Sequence, residues 1–231
     1  MVPSAFDSEV LRAQMAHTGN VSIADFLPER DACDLLADLE TRGDWLEVFH
    51  AGGSTYEMAA CDYSAMEPEQ RERLDGMVWT EAAKGFQFRI RTVRVPDEIG
   101  ERLPSDALHR FAQTMCASET LGRFAQLLDS PELNFADAQA TAYSAGHFLN
   151  GHDDAVEGKG RVAAYVYSLT RDWSPDWGGH LIFPDGEGLS GLMPQFNTLR
   201  VFTVPRLHSV TFVPPFVTAT RYSITGWLRV I

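Results

Sequence analysis

Apolar positions recur at helical spacing in four segments of the first 133 residues. In PERDACDLLADLETRG (28–43), Ala32, Leu35, Leu36 and Leu39 fall on one face and the run stops at Gly43. A second helix is expected within MEPEQRERLDGMVWTEAAKG, ending near Gly85. SDALHRFAQTMCAS (105–118) opens with a Ser-Asp cap before an amphipathic run, and SETLGRFAQLLDSPEL is a shorter fourth helix ended by Pro131. Three strand patterns lie between them: VSIADFL, WLEVFHA and FQFRIRTVRV. In the last, Phe86, Phe88, Ile90 and Thr92 alternate with Gln87, Arg89, Arg91 and Val93, which predicts a half-buried strand.

The pattern changes after Leu133. Six short runs follow, broken by Gly and Pro: AQATAYSAG, RVAAYVYSLT, GGHLIFP, TLRVFTV, HSVTFV and RYSITGWLRVI. Such runs predict a sandwich or jelly-roll barrel, with the helices on one face of its sheets, hence an α+β chain. We expect a single domain over 1–231, with 1–132 a mainly helical support carrying some strands and 133–231 the barrel core.

Composition narrows the classes. The 231 residues are 45% hydrophobic and 22% charged, an ordinary globular balance. No run of 18 apolar residues is present, so no membrane partner is expected, and the N-terminus lacks a secretion signal. Cys33, Cys61 and Cys116 are odd in number and widely spaced, which speaks against a disulfide framework or zinc knuckle and for a reducing cytoplasm. A net charge of -13 disfavours a nucleic-acid partner.

The chemistry concentrates in YSAGHFLNGHDDAVEGKGR (143–161). His152-x-Asp154 is by itself a weak signal, and a polar turn explains it as well. If the segment is extended, residues two apart share a face, so both side chains could reach one cation. Two His and one carboxylate on one face of ferrous iron leave positions open for a co-substrate and dioxygen. His147, His180 and His208 are the candidates for the third ligand. Thirteen residues after His208 comes Arg221, opening a strand, with Ser223 on the same face. An oxygenase that consumes 2-oxoglutarate must pair the far carboxylate of that dianion with a cation, and the arginine fork suits it.

Taken together, YSAGHFLNGHDD, GRVAAYVYSLTRDW, GGHLIFP, HSVTFV and TRYSITGWL resemble the catalytic core of prolyl-hydroxylase-type oxygenases that depend on iron and 2-oxoglutarate. They look like the hypoxia-factor and ribosomal-protein prolyl hydroxylases over about residues 110–231, and VSIADFLPERDACDLLADLE is similar to the opening strand and helix of the same families. The resemblance implies a double-stranded β-helix (jelly-roll) core with N-terminal helical support. It implies Fe(II) held by His152, Asp154 and His208, with 2-oxoglutarate and O2 as co-substrates and ascorbate as reductant. Arg221 would grip the distal carboxylate with Ser223 assisting, and Tyr143 would contact co-substrate or substrate.

Three departures stand out. The interval from His208 to Arg221 carries PPFVTA as a wider turn. Ser168 occupies the slot where these families place a tyrosine, and a bulge would be needed to turn Tyr167 inward to the co-substrate. The second domain of the ribosomal-protein hydroxylases has no counterpart in these residues.

Several residues carry plainer expectations. Gly178-Gly179 should bend or bulge the start of a strand. His180 should pack beside that bend, His147 should be structural, and Arg161 should pair with a nearby acid. The expected substrate is a protein or peptide with a target proline; free proline or another small molecule is the alternative. A non-catalytic jelly-roll binding module is the reading of another class. The intact Asp154 points to hydroxylation, since related halogenases free that ligand position for chloride. The lid is expected from the N-terminal half and DAVEGKG.

Overall fold

Period-two alternation in the C-terminal half decides the architecture, because each long strand there has one face for helices and one for a cavity. The computed structural model describes residues 1–4 and 6–231. In chain order the elements are α1 (Ser8–Thr18), β1 (Asn20–Ile23), α2 (Glu29–Thr41), β2 (Leu46–Ala51), β3 (Ser54–Ala59), α3 (Ala60–Ala65), α4 (Pro68–Ala82) and β4 (Phe88–Arg94). They continue with α5 (Ala107–Met115), α6 (Ser118–Leu128), β5 (Phe135–Ala136), β6 (Gln139–Tyr143), β7 (Phe148–His152) and β8 (Arg161–Ser168). Last come β9 (Leu181–Asp185), β10 (Gly188–Leu192), β11 (Thr198–Thr203), β12 (His208–Val210) and β13 (Arg221–Arg229). The four helices read from the sequence are present, and WLEVFHA forms β2; α1, α3 and β3 lacked a strong enough periodic signal to be seen there.

The strands form one curled antiparallel system in the order β1-β11-β8-β13-β6-β4-β7-β12-β9-β10, with β2–β3 on β4 and β5 on β13. β4 turns the corner. Its residues 91–94 pair with β6, while Phe88 and Arg89 pair with β7. The first six strands of that order make one wall of a double-stranded β-helix and the last four make the other. β1, β2, β3 and β4 come from the N-terminal half, so the barrel draws on residues well before 133 and the 1–132 segment is more than helical support.

The outer face of the larger wall is the main core. Tyr165 and Tyr167 of β8, Leu199 and Val201 of β11, Ile224 and Leu228 of β13 and Ala140 and Ala142 of β6 meet α1, α2, α5 and α6 through Met15, Leu35, Phe111 and Phe124. Tyr167 stacks on Phe111 at 5.1 Å between ring centroids. Small alanines on β6 let the helices approach, and the aromatics of β8 fill the space between them. Asp106 caps α5, its carboxylate accepting from the amides of Leu108 and His109, as the Ser-Asp signal predicts.

The strand expected over 86–95 forms as β4, but it is not half-buried in the alternating way expected. Gln87, Arg89, Thr92 and Val93 are all buried, while Phe86 is half exposed. The reason is α4, which lies against β2 and β4 and covers the face that alternation assigned to water. The arginines there are neutralised internally. Glu47, fully buried on β2, accepts from Arg89 Nε at 2.7 Å and Arg91 Nε at 2.9 Å, and its Oε1 lies 2.9 Å from His147 Nε2. Arg89 also bonds Asp75 of α4 and lies 4.4 Å from the Tyr63 ring centroid. His147 and Arg89 drive the Glu47 carboxyl well below the ordinary glutamate range against the opposing cost of burial. This cluster joins β2, β4, α4 and the loop entering β7, and accounts for His147 as structural.

Removing one partner of such a cluster leaves buried charges unpaired, at a cost of about 3–5 kcal/mol. Glu47→Gln should therefore lower unfolding free energy by roughly that amount in urea titration, while a loss under about 1 kcal/mol would show the cluster to be dispensable. Because the Glu47 carboxyl is held below its unfolded value, its contribution is present above that value and is lost as pH falls. The gap between wild type and variant should accordingly narrow on acidification.

Candidate metal centre and its cavity

β7 and β12 pair antiparallel with His152 directly opposite His208, which places the two imidazoles side by side, 4.1 Å between centroids. Asp154 joins them by a route that alternation does not describe. It lies beyond the end of β7 in a left-handed conformation, φ 63°, so its carboxylate meets the histidines through a turn and not along an extended strand. Aspartate tolerates that region better than most residues. Oδ1 lies 3.5 Å from His152 Nε2 and Oδ2 lies 3.5 Å from His208 Nε2. One ligand atom from each of the three residues falls within 4.8 Å of the others.

The imidazoles are oriented from behind. His152 Nδ1 is 2.9 Å from the Asn150 carbonyl and His208 Nδ1 is 2.8 Å from the Arg206 carbonyl. A carbonyl only accepts, so each Nδ1 carries the proton and each Nε2 presents a lone pair to the centre. Burial and the neighbouring His152 push the His208 pKa down, favouring the neutral ring that a metal requires. Two neutral nitrogens and one carboxylate oxygen are the donor set of ferrous sites with open positions, and these residues fit such an ion.

A cavity of about 320 Å³ opens from this cluster between the two walls. Its sides are largely apolar: Phe88, Ile90, Leu149, Val166, Leu181, Phe202 and Val210. Arg221 and Tyr143, directly paired across β13 and β6, line it too, with the guanidinium carbon 5.0 Å from the Tyr143 ring centroid. Both are buried, and Arg221 Nε has no hydrogen-bond partner. Burial pushes the Tyr143 pKa up to about 12, so its hydroxyl keeps its proton. Burial likewise lowers Arg221, which faces no carboxylate among the described residues. Trp173 packs with Tyr143, Val213 and Val217 near Arg221, stacked edge-on to Trp177.

The other sequence-derived residues divide clearly. Ser223 lies on the cavity-facing side of β13, buried, its hydroxyl 3.3 Å from Thr141 Oγ1. Tyr167 does not turn inward: β8 is regular there, and its hydroxyl donates to Asn197 Oδ1 at 2.7 Å inside the helix-side core. A co-substrate contact for Tyr167 is thereby overturned, and Ser168 has the cavity-side position. His180 packs beside the Gly178-Gly179 bend with Nε2 2.8 Å from the Pro175 carbonyl. At Gly178, φ 62°, a Cβ would stand 2.0 Å from the Phe212 carbonyl oxygen, so only glycine allows that close approach.

Arg161 is more than the partner of an acid. It lines the cavity, donates to the Asp154 carbonyl at 2.9 Å and lies flat over Trp227, 3.5 Å from the ring centroid. Phe88, Thr225 and Trp227 also line it; Thr225 and Trp227 stand in the TRYSITGWL motif, but no role was read for them from the sequence.

The fold is thus a double-stranded β-helix with a two-histidine, one-carboxylate donor set at one end of its cavity. Residues 138–229 match the sequence model of the 2OG-Fe(II) oxygenase superfamily. A stretch of 79 residues is 34% identical to Egl nine homolog 1 of Rattus norvegicus and of Homo sapiens, covering 33% of this chain and 23% and 18% of those proteins. The chain thus spans less than a quarter of the curated relatives it matches. A Pseudomonas putida prolyl-4-hydroxylase shares the fold at TM-score 0.62 and 18% identity, over 96% of this chain and 98% of that one. The Trichoplax adhaerens prolyl hydroxylase, solved with a hypoxia-inducible-factor peptide fragment, gives 0.63 and 19% over 96% and 89%. The epimerase SnoN from nogalamycin biosynthesis, dependent on alpha-ketoglutarate, gives 0.59 and 15% over 95% and 81%.

Asp154→Asn keeps a residue that accepts the left-handed turn but removes the charge. Its affinity for Fe(II) or Mn(II), measured by calorimetry, should fall by more than the roughly 10–100-fold that loss of an outer-shell partner costs. Wild-type affinity in this variant would remove Asp154 from the ligand set.

Proposed function

We propose that the protein is an iron(II)- and 2-oxoglutarate-dependent dioxygenase that hydroxylates a C–H bond, with a prolyl residue of a protein or peptide as its target. The observation that carries this is Arg221, a buried cation that faces no carboxylate among the described residues and lines the same cavity as the His-Asp-His cluster. A desolvated guanidinium is costly unless an anion pairs with it. A 2-oxo diacid meets both needs, one carboxylate for Arg221 and a keto-acid end for the metal.

In this reading His152, Asp154 and His208 hold Fe(II). The bound ion, with 2-oxoglutarate and O2, supplies the oxidising power for the C–H bond, and ascorbate serves as reductant. The chain's residues do the rest. The backbone carbonyls of Asn150 and Arg206 hold the two imidazoles so that each Nε2 faces the centre. The apolar walls of the cavity exclude water and strengthen the Arg221 ion pair. Tyr143 keeps its proton and can donate to a ligand oxygen, and Ser223 reinforces the same wall. Asp154 keeps the third ligand position filled, which suits hydroxylation. A single functional unit over 1–231 and a cytoplasmic setting belong to the same proposal.

A small-molecule substrate is the second reading, favoured by the limited share of the Egl nine proteins that this chain covers and by a fold shared with an epimerase of natural-product biosynthesis. Succinate release stimulated by prolyl peptides supports the first reading; stimulation by free proline alone supports the second. Anaerobic addition of Fe(II) and then 2-oxoglutarate should give the weak visible band of a chelated keto acid. In Arg221→Ala the 2-oxoglutarate concentration needed for that band should rise about 30-fold to several thousandfold, the equivalent of about 2–5 kcal/mol. An unchanged requirement would discard Arg221 as the anchor.

A further inference from the structure

A second cavity of about 430 Å³ adjoins the first and shares Gln139, Arg161 and Trp227 with it. Its remaining charged lining is Arg94, Lys159 and Arg229 against Asp97 and Asp137. On a chain of net charge -13, four cations meeting two acids make a local reversal of sign. The acids are already engaged, since Asp97 and Asp137 each lie 3.3 Å from Arg229. Arg94 pairs with Glu57 at an exposed position, a weak contact in water. Lys159 forms no ion pair among the described residues. Arg161 comes within 4.0 Å of Asp154, the carboxylate assigned to the metal.

The segment that carries Lys159 and Arg161 is held in place. Gly160 between them has φ 57°, and a Cβ there would stand 2.0 Å from the Val230 carbonyl oxygen. Its carbonyl accepts from the Val230 amide at 2.9 Å, and the Lys159 carbonyl accepts from Arg229 Nε at 2.9 Å. The turn is thus tied to the end of β13, and the two positive charges stand at fixed backbone positions beside Trp227. The groove meets the metal cavity at Gln139, Arg161 and Trp227, which line both.

We infer that the groove receives an acidic stretch of the polypeptide substrate, flanking the residue held over the metal. The inference rests on the oxygenase reading and adds to it the charge of the partner. The lining that the two cavities share places the groove beside the metal cavity, and Lys159, which has no ion pair among the described residues, supplies the recognition together with Arg94. A phosphate backbone is the less fitting occupant, because the reversal is confined to one groove of an acidic chain.

The test uses the full chain loaded with Mn(II) and 2-oxoglutarate without oxygen, and fluorescein-labelled peptides with a central Ala-Pro flanked on either side by three Asp, three Ser or three Lys. Anisotropy should show an Asp-flanked peptide binding about tenfold tighter than the Ser-flanked one, the order set by two or three exposed charge pairs. That preference should shrink as salt rises. Lys159→Ser and Arg94→Ser should each narrow it, and Lys159→Glu should abolish it, with thermal unfolding checking that each variant is folded. Equal affinities for the three flanks, no peptide binding, a preference surviving in Lys159→Glu, or tighter binding of a dT8 oligonucleotide would each overturn the inference. The keto-acid band of the Fe(II) wild type separates the two failures: its absence sinks the oxygenase reading, and its presence with equal affinities sinks the groove.

Discussion

A slip of one residue between β8 and β13 would destroy the core and the cavity together. Strand side chains alternate strictly, so register decides which set faces the helices. In the observed pairing, Tyr165 and Tyr167 of β8 and Ile224 and Leu228 of β13 meet the helices. Ala164 and Val166 of β8 and Arg221, Thr225 and Trp227 of β13 then turn to the cavity. The apolar cost of exposing two tyrosines and an isoleucine fixes that register, and so fixes which way the arginine points.

The metal cluster sits where that order is weakest. β12 has three residues, and its pairing with β7 shifts register just past His208. Asp154 is in a turn. The position is held by features around it: Nδ1 bonds to backbone carbonyls, the corner made by β4, and the Glu47 cluster at the entrance to β7. Buried charge therefore serves opposite ends in the two places. Around Glu47 every arginine has its acid, and the cluster ties elements together. Around Arg221 no acid stands among the described residues, and under the proposed function a bound anion would take its place.

The two cavities extend this contrast. The inner one is apolar between its metal cluster and its guanidinium, as a reacting centre that excludes water should be. The outer groove is wet and charged, with Arg161 and Trp227 as the shared wall. Stacked on the indole and bonded to the Asp154 carbonyl, Arg161 couples the position of the metal ligand to the shape of the passage.

The sequence by itself determined four of the helices, most of the longer barrel strands and the compound motif of His152, Asp154, His208 and Arg221. Those signals are local periodicities, or residue types whose chemistry survives without coordinates. The reason His152 and Asp154 meet was beyond it, since a left-handed turn at an aspartate leaves no periodic trace. Alternation misjudged the strand at 86–95, because α4 arrives from elsewhere in the chain to cover its polar face. It also left Tyr167 and Ser168 undecided, since a strand pattern gives two faces and not which one meets the helices. The convergence of Lys159 and Arg161 with Trp227 and Arg229 on one groove is a product of tertiary structure alone: 66 to 70 residues separate the two pairs, and the pairing of β13 with β8 and with the 158–160 turn brings them together.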